Sequence, residues 1–326
     1  MTELKKRILT AVGEDLKAVE SAIEANLSPH LELVGRVAGH ILFAGGKRLR
    51  PLLMILAARL CRHSGDGMAR YAAIFEYLHA ATLLHDDVVD GGRLRRGRAA
   101  AHEVWDAPTA VLTGDFLLAR ALSLAARTHM PAVIETIATI TEFMSQGEIR
   151  QLFHKGDLEV SEALYLDVIR CKTAVLFEGA CRVGALLAGA SDARVKALGD
   201  FGHHLGMAFQ MADDLLDYIQ ESAVLGKKAG ADLREGKLTL PVIYSLKAVG
   251  HEDRRWIAQL VQTPDFDDQD FAKLIQLLET HGGIDYTRQC ARTHIAAAQQ
   301  HLNDFPACAE RDTLRDIADY ALARGH

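Results

Sequence analysis

Two nearly apolar stretches each carry three aspartates, and this limits what the chain can become. The first is Leu83-Leu84-His85-Asp86-Asp87-Val88-Val89-Asp90, the second Phe209-Gln210-Met211-Ala212-Asp213-Asp214-Leu215-Leu216-Asp217. Both read DDxxD. The surrounding apolar spacing is helical, so Asp86 and Asp90 share one helix face, as do Asp213 and Asp217. Like charges four apart weaken a helix unless something neutralises them. The flanking leucines and valines draw both sets toward a core, where carboxylates need partners. A single acidic pair is commonly a solvated face. Two complete copies in apolar runs point to a shared site for hard divalent cations. Oxygen ligands suit Mg²⁺, which commonly bridges to substrate phosphates.

The rest of the chain supplies a helical frame. Only seven prolines interrupt 326 residues, and helical spacing recurs while strand alternation is scarce. The spacing predicts helices over 3–26, from Ser28-Pro29 to about Phe43, from Pro51 to Cys61, and over 68–90, 101–105, 108–128, 131–153, 161–188, 192–220 and 241–248. About four more follow His251, with a break at Thr263-Pro264. Gly91-Gly92 ends the helix of the first aspartates, and a basic loop follows through Arg98. Segment 226–240 is rich in Gly and Lys without apolar periodicity. The expectation is one all-α domain over 1–326, built around a helical bundle. Mixed charges with a net of −6 give no nucleic-acid surface. Cys61, Cys171, Cys181, Cys290 and Cys308 form no CxxC pair and read as reduced thiols of a cytoplasmic protein. No signal peptide is evident, and no stretch of about 18 uncharged apolar residues predicts a transmembrane segment.

Further constellations carry positive charge. Gly45-Gly46-Lys47-Arg48-Leu49-Arg50-Pro51 joins exposed backbone N–H groups to cations at a helix start, which makes either a diphosphate cradle or a solvated basic turn. Arg93, Arg95, Arg96 and Arg98 follow the first aspartates and either neutralise them or hold phosphate oxygens. His79 lies two turns before Asp86 on the same face. Gln210 precedes Asp213 by three and faces the acids likewise. Lys172, with Thr173 beside it, sits in a mostly apolar helix and needs an anionic partner. Lys227, Lys228 and Lys237 occupy the glycine-rich segment, a surface loop or a lid over phosphates. Acids, metal and cations together fit departure of diphosphate. The P-loop pattern is absent.

At these residues the chain resembles the trans-isoprenyl diphosphate synthases, and within them the long-chain polyprenyl branch. The resemblance rests on GGKRLRP (45–51), EYLHAATLLHDDVVD (76–90), RRG (95–97), GD (114–115), KTA (172–174), FQMADDLLDY (209–218) and GKKAGADLREGKLTLP (226–241). It implies the isoprenoid synthase helical bundle with a central active-site cavity, as a homodimer. It implies that Lys47, Arg50, His79 and Arg96 bind isopentenyl diphosphate. Asp86, Asp90 and Asp213 would hold Mg²⁺, three ions per site, with Asp87, Asp214 and Asp217 in support. Arg95, Lys172, Thr173, Gln210, Lys227 and Lys237 would surround the allylic prenyl diphosphate. Gly91-Gly92 departs from the pattern, standing where polar residues are commoner. Ala81 and Thr82 precede Asp86 by five and four residues, roughly 6–8 Å along the helix. Both are small where short-chain relatives place an aromatic, so a product longer than C20 is expected, with octaprenyl diphosphate the first choice. Farnesyl or geranylgeranyl diphosphate synthesis stays open as an alternative. So do a class I terpene cyclase, which needs no second diphosphate site, and a non-enzymatic subunit of the same fold.

Overall fold

The computed structural model describes residues 3–27, 31–63, 67–219, 230–263 and 265–323. In chain order the helices are α1 (Glu3–Leu27), α2 (Glu32–Leu42), α3 (Leu49–Leu60), α4 (Met68–Val89), α5 (Ala101–Val104), α6 (Ala107–Ala126), α7 (Pro131–Phe153), α8 (Glu162–Ile169), α9 (Val175–Leu187), α10 (Asp192–Ile219), α11 (Ala231–Arg234), α12 (Leu240–Ser245), α13 (His251–Gln262), α14 (Asp268–Thr280), α15 (Gly283–Gln300) and α16 (Ala309–Ala323). A π turn, Arg170–Ala174, joins α8 to α9. An antiparallel ribbon, β1 (Leu94–Arg95) and β2 (Arg98–Ala99), follows α4 and pairs Leu94 with Ala99 and Arg95 with Arg98. The chain is all-α in class. It divides into two compact units: Met1–Thr141, Leu176–Gly202 and His301–Ile317 form the first, and Glu142–Val175, His203–Gln300 and Ala318–His326 the second.

In the first unit α4 is the central helix. Its residues 72–78 are buried without interruption, as expected of a helix enclosed on all sides. It packs along α6 and also against α1, α2, α3 and α5. The Tyr77 hydroxyl donates to the Ile23 carbonyl of α1 at 2.6 Å. Gly184 of α9 lies so close to α3 that a Cβ there would stand 2.2 Å from the Met54 carbonyl oxygen. Asp106 caps α6 by accepting from the Thr109 N–H at 2.6 Å, with Pro108 in the first turn. By length and composition α6 could cross a membrane. It carries Asp115 and Arg120, and one face is spent on α4.

In the second unit α12 packs against α15, α14 and α8. Gly283 allows the first of these contacts, since a Cβ there would meet the Pro241 carbonyl oxygen at 2.2 Å. Ser161 caps α8 and Asp267 caps α14, each accepting from N–H groups of the first turn.

Three local features differ from the sequence expectation. The helix expected over 161–188 is interrupted by the π turn, whose extra residue leaves the apolar spacing on either side intact. The basic loop is a hairpin, turned at Arg96 and Gly97, both with positive φ (53° and 75°), as two-residue hairpin turns require. Short helix α11 lies within the segment read as aperiodic.

Candidate active site

The first aspartates occupy the last turn of α4. The Asp90 N–H donates to the Asp86 carbonyl at 2.8 Å, and the Gly92 N–H to the Asp87 carbonyl at 3.1 Å. Gly91, at φ 64°, supplies the left-handed residue that stops the helix. This puts three acids at the negative end of the helix dipole, where anions are disfavoured and cations welcome. The hairpin answers one of them. Arg95 places its Nε 2.8 Å from Asp87 Oδ1, and its Nη2 contacts the same oxygen. Asp87 is buried, while Asp86 and Asp90 keep partial exposure. His85 steadies the turn, with Nε2 3.1 Å from the Val111 carbonyl oxygen of α6. Its ring lies on Gly114, where a Cβ would come within 2.3 Å of Nε2, and this explains the glycine of the GD pair.

The basic residues of the first unit gather around His79. Burial, then the charges of Arg50, Arg96, Arg95 and Arg48, hold its imidazole well below the ordinary value, so it is neutral. Arg50 stacks over the Phe177 ring at 4.7 Å. Gly46 lies between two guanidinium groups, since a Cβ there would be 3.3 Å from both Arg48 Nη1 and Arg96 Nη1. Lys47 is exposed in this turn. The turn is anchored by Arg48, which sequence reasoning did not single out. Arg48 is buried in a left-handed conformation (φ 48°). It donates to Glu76 Oε2 at 2.8 Å and to the Leu42 carbonyl at 2.6 Å. Ala81 is wholly buried, and the Thr82 hydroxyl donates to the His79 carbonyl at 2.8 Å.

The second unit encloses a cavity of about 150 Å³ whose walls include Lys172, Thr173, Gln210, Asp214 and Lys237. The π turn delivers Lys172 and Thr173 together; such turns often mark functional positions. Lys172 Nζ donates to Gln151 Oε1 at 2.9 Å and pairs with Glu148, which supplies the anionic partner its setting requires. Lys237 Nζ is 2.8 Å from Glu235 Oε2. The second aspartates divide by role. Asp213 is exposed. Asp214, 3% exposed, accepts from the Tyr165 hydroxyl at 2.6 Å and Gln210 Nε2 at 2.7 Å. Burial raises its carboxyl to about 7 against the pull of those two bonds, with Asp213 and Asp217 adding to the rise. Asp217, also buried, accepts from the Asp232 N–H at 2.9 Å. Lys227 lies outside the described residues.

Asp86, Asp90 and Asp213, more accessible than the aspartates beside them, offer carboxylate oxygens only, which fits a hard divalent ion. Among the described residues no three His, Cys, Asp or Glu side chains gather into a ready-made cage. Mg²⁺ commonly completes its octahedron with water and substrate phosphates, so the donor set is compatible. Sequence reasoning missed Arg48, Glu76, Glu148, Gln151, Asp232 and Tyr165. Most of these meet their partners only through the fold, so spacing carries no trace of them.

Comparison with known proteins gives concordant matches. The polyprenyl synthetase family model matches residues 31–278. The octaprenyl diphosphate synthase of Haemophilus influenzae is 34% identical, over 99% of this chain and 100% of its own. The all-trans-nonaprenyl-diphosphate synthase (geranyl-diphosphate specific) of Rhodobacter capsulatus is 38% identical, over 99% of this chain and 98% of its own. Among solved structures, a polyprenyl synthase from Caulobacter crescentus, complexed with calcium and isoprenyl diphosphate, gives a TM-score of 0.93 at 39% identity and covers 98% of each chain.

Proposed function

Because the chain belongs to the polyprenyl synthetase family, we propose that the residues described above carry out repeated head-to-tail condensation of isopentenyl diphosphate onto an allylic diphosphate. The chain is an all-trans polyprenyl diphosphate synthase of the long-chain type, a prenyltransferase. The octaprenyl product is our reading, supported by the small residue at Ala81.

The observation that carries the residue assignment is the cavity of the second unit, where Lys172, Thr173, Gln210 and Lys237 stand together. They bind the allylic diphosphate, a role the family resemblance also gives to Arg95 and Lys227. Asp86 and Asp90 of the first unit and Asp213 of the second would hold Mg²⁺, which when bound would supply Lewis acidity to the leaving diphosphate. Arg50, His79, Arg96 and Lys47 hold the diphosphate of isopentenyl diphosphate. The neutral imidazole of His79 donates a hydrogen bond without adding to the charge of four neighbouring arginines. The C–O bond to the allylic diphosphate breaks, the double bond of isopentenyl diphosphate attacks the allylic cation, and the resulting cation loses a proton to the released diphosphate. Buried Asp87, Asp214 and Asp217 keep the flanking groups in place.

The protein acts as a homodimer in this reading. Leu112 of α6 is 66% exposed, and Leu122 and Ile134 are exposed as well; a second copy would cover such exposed apolar residues, giving twice the chain mass in sedimentation. The free cysteines suit a cytoplasmic location, which cell fractionation tests. The activity is tested by product analysis with farnesyl diphosphate, isopentenyl diphosphate and Mg²⁺. The expected result is an all-trans series ending near C40 and abolished by chelation. A hydrocarbon formed without isopentenyl diphosphate would mark a cyclase and overturn the reading.

A further inference from the structure

One hydrogen-bonded chain along the cavity of the second unit starts at a tyrosine outside every motif. The Tyr165 hydroxyl donates to Asp214 Oδ2 at 2.6 Å, Gln210 Nε2 donates to Asp214 Oδ1 at 2.7 Å, and the Thr173 hydroxyl donates to Gln210 Oε1 at 2.7 Å. A carboxamide has nearly the same shape when turned over, so packing alone does not choose which end faces which neighbour. Asp214 makes the choice, because its Oδ1 accepts and so selects the NH₂ end of Gln210. Tyr165 in turn occupies Oδ2 and leaves Oδ1 for the amide. The Gln210 carbonyl is then committed to Thr173. The amide carries a second N–H, and Gln210 borders the cavity. With the amide reversed, a carbonyl oxygen would meet the phosphate.

We propose that Tyr165 is a positioning residue for the diphosphate cavity: by holding Asp214 it fixes Gln210 in the orientation that offers an amide N–H, and not a carbonyl oxygen, to the bound diphosphate. This rests on reading the cavity as the allylic diphosphate site. Tyr165 lies on α8, ahead of the π turn, and both it and Asp214 are buried. Tyr165 also borders the cavity, and the effect proposed for it passes through Asp214 and Gln210.

Tyr165→Phe removes one oxygen and keeps the ring. The probe is inorganic pyrophosphate with Mg²⁺, followed by calorimetry, beside steady-state kinetics and thermal melting. Loss of one charge-assisted bond predicts about tenfold weaker pyrophosphate binding and a matching rise in KM for the allylic substrate. KM for isopentenyl diphosphate and the melting temperature stay near wild type. In a cycle with Asp214→Asn, adding Tyr165→Phe has no further effect, since the residue it acts through is already changed. Wild-type binding by Tyr165→Phe, additive effects in the cycle, or loss of the fold in Tyr165→Phe would each overturn the proposal alone. Failure of the wild-type protein to bind pyrophosphate would overturn the diphosphate reading and this proposal with it.

Discussion

Each DDxxD set separates into an accessible part and a buried part. Asp87, Asp214 and Asp217 take partners inside the protein, Arg95, Tyr165 with Gln210, and the Asp232 N–H respectively. Asp213 stays exposed, and Asp86 and Asp90 partly so. The buried acids give the accessible ones a fixed platform. At the same scale, Ala81 is small and wholly buried on α4. Ala81→Phe fills whatever space the growing prenyl chain uses beside this helix. It is expected to shorten the product to about C15–C20 at a stability cost of about 1–3 kcal/mol from overpacking. Radiolabelled chain-length analysis of the soluble, folded variant checks this; an unchanged product length would remove Ala81 from the path of the chain.

At the scale of elements, a close crossing shapes the cavity. Gly147 of α7 meets the π turn so tightly that a Cβ there would be 2.8 Å from Cys171 Cβ and 3.1 Å from the Lys172 N. Gly147→Ala must shift the turn that carries Lys172 and Thr173. The expected outcome is at least about tenfold weaker allylic-substrate affinity, because misplaced diphosphate ligands lose charge-assisted bonds. Steady-state KM measurements check it, and an unaltered KM would show that the turn does not set the affinity. Nearly every long helix was legible in the sequence, because an enclosed helix such as α4 must be apolar all round and an outer one striped. The aspartate sets were legible for the same reason: acids in apolar runs stand out. The π turn was not, since one inserted residue leaves the flanking spacing unchanged. Nor was the hairpin, whose two-residue strands are too short to show alternation. Tyr165 and Asp214 are 49 residues apart, and Glu148 meets Lys172 only when α7 packs on the turn.

For the whole molecule, acid sensitivity follows from a histidine pair in the second unit. His204 Nδ1 and His294 Nδ1 are 2.9 Å apart, with the His203 ring edge-on to His204. Burial, and then His204, lower the His294 pKa from 6.5 to about 4. The unfolded chain therefore takes up a proton below pH 6.5 that the folded chain refuses. Stability from this site is complete above that pH and is lost as pH falls toward 4. Urea midpoints should drop between pH 7 and 5, and less so in His294→Gln. Equal drops in the two proteins would assign the acid sensitivity elsewhere.

The claim on which the mechanism turns is that the accessible aspartates of each set are needed for magnesium-dependent binding of diphosphate. The direct measurement is Mg²⁺-dependent pyrophosphate binding by wild type, Asp86→Asn, Asp213→Asn and the double variant. Each single change should weaken binding at least about tenfold, and the double variant should bind no better than the weaker single. A substitution in either set that leaves binding unchanged would contradict the account.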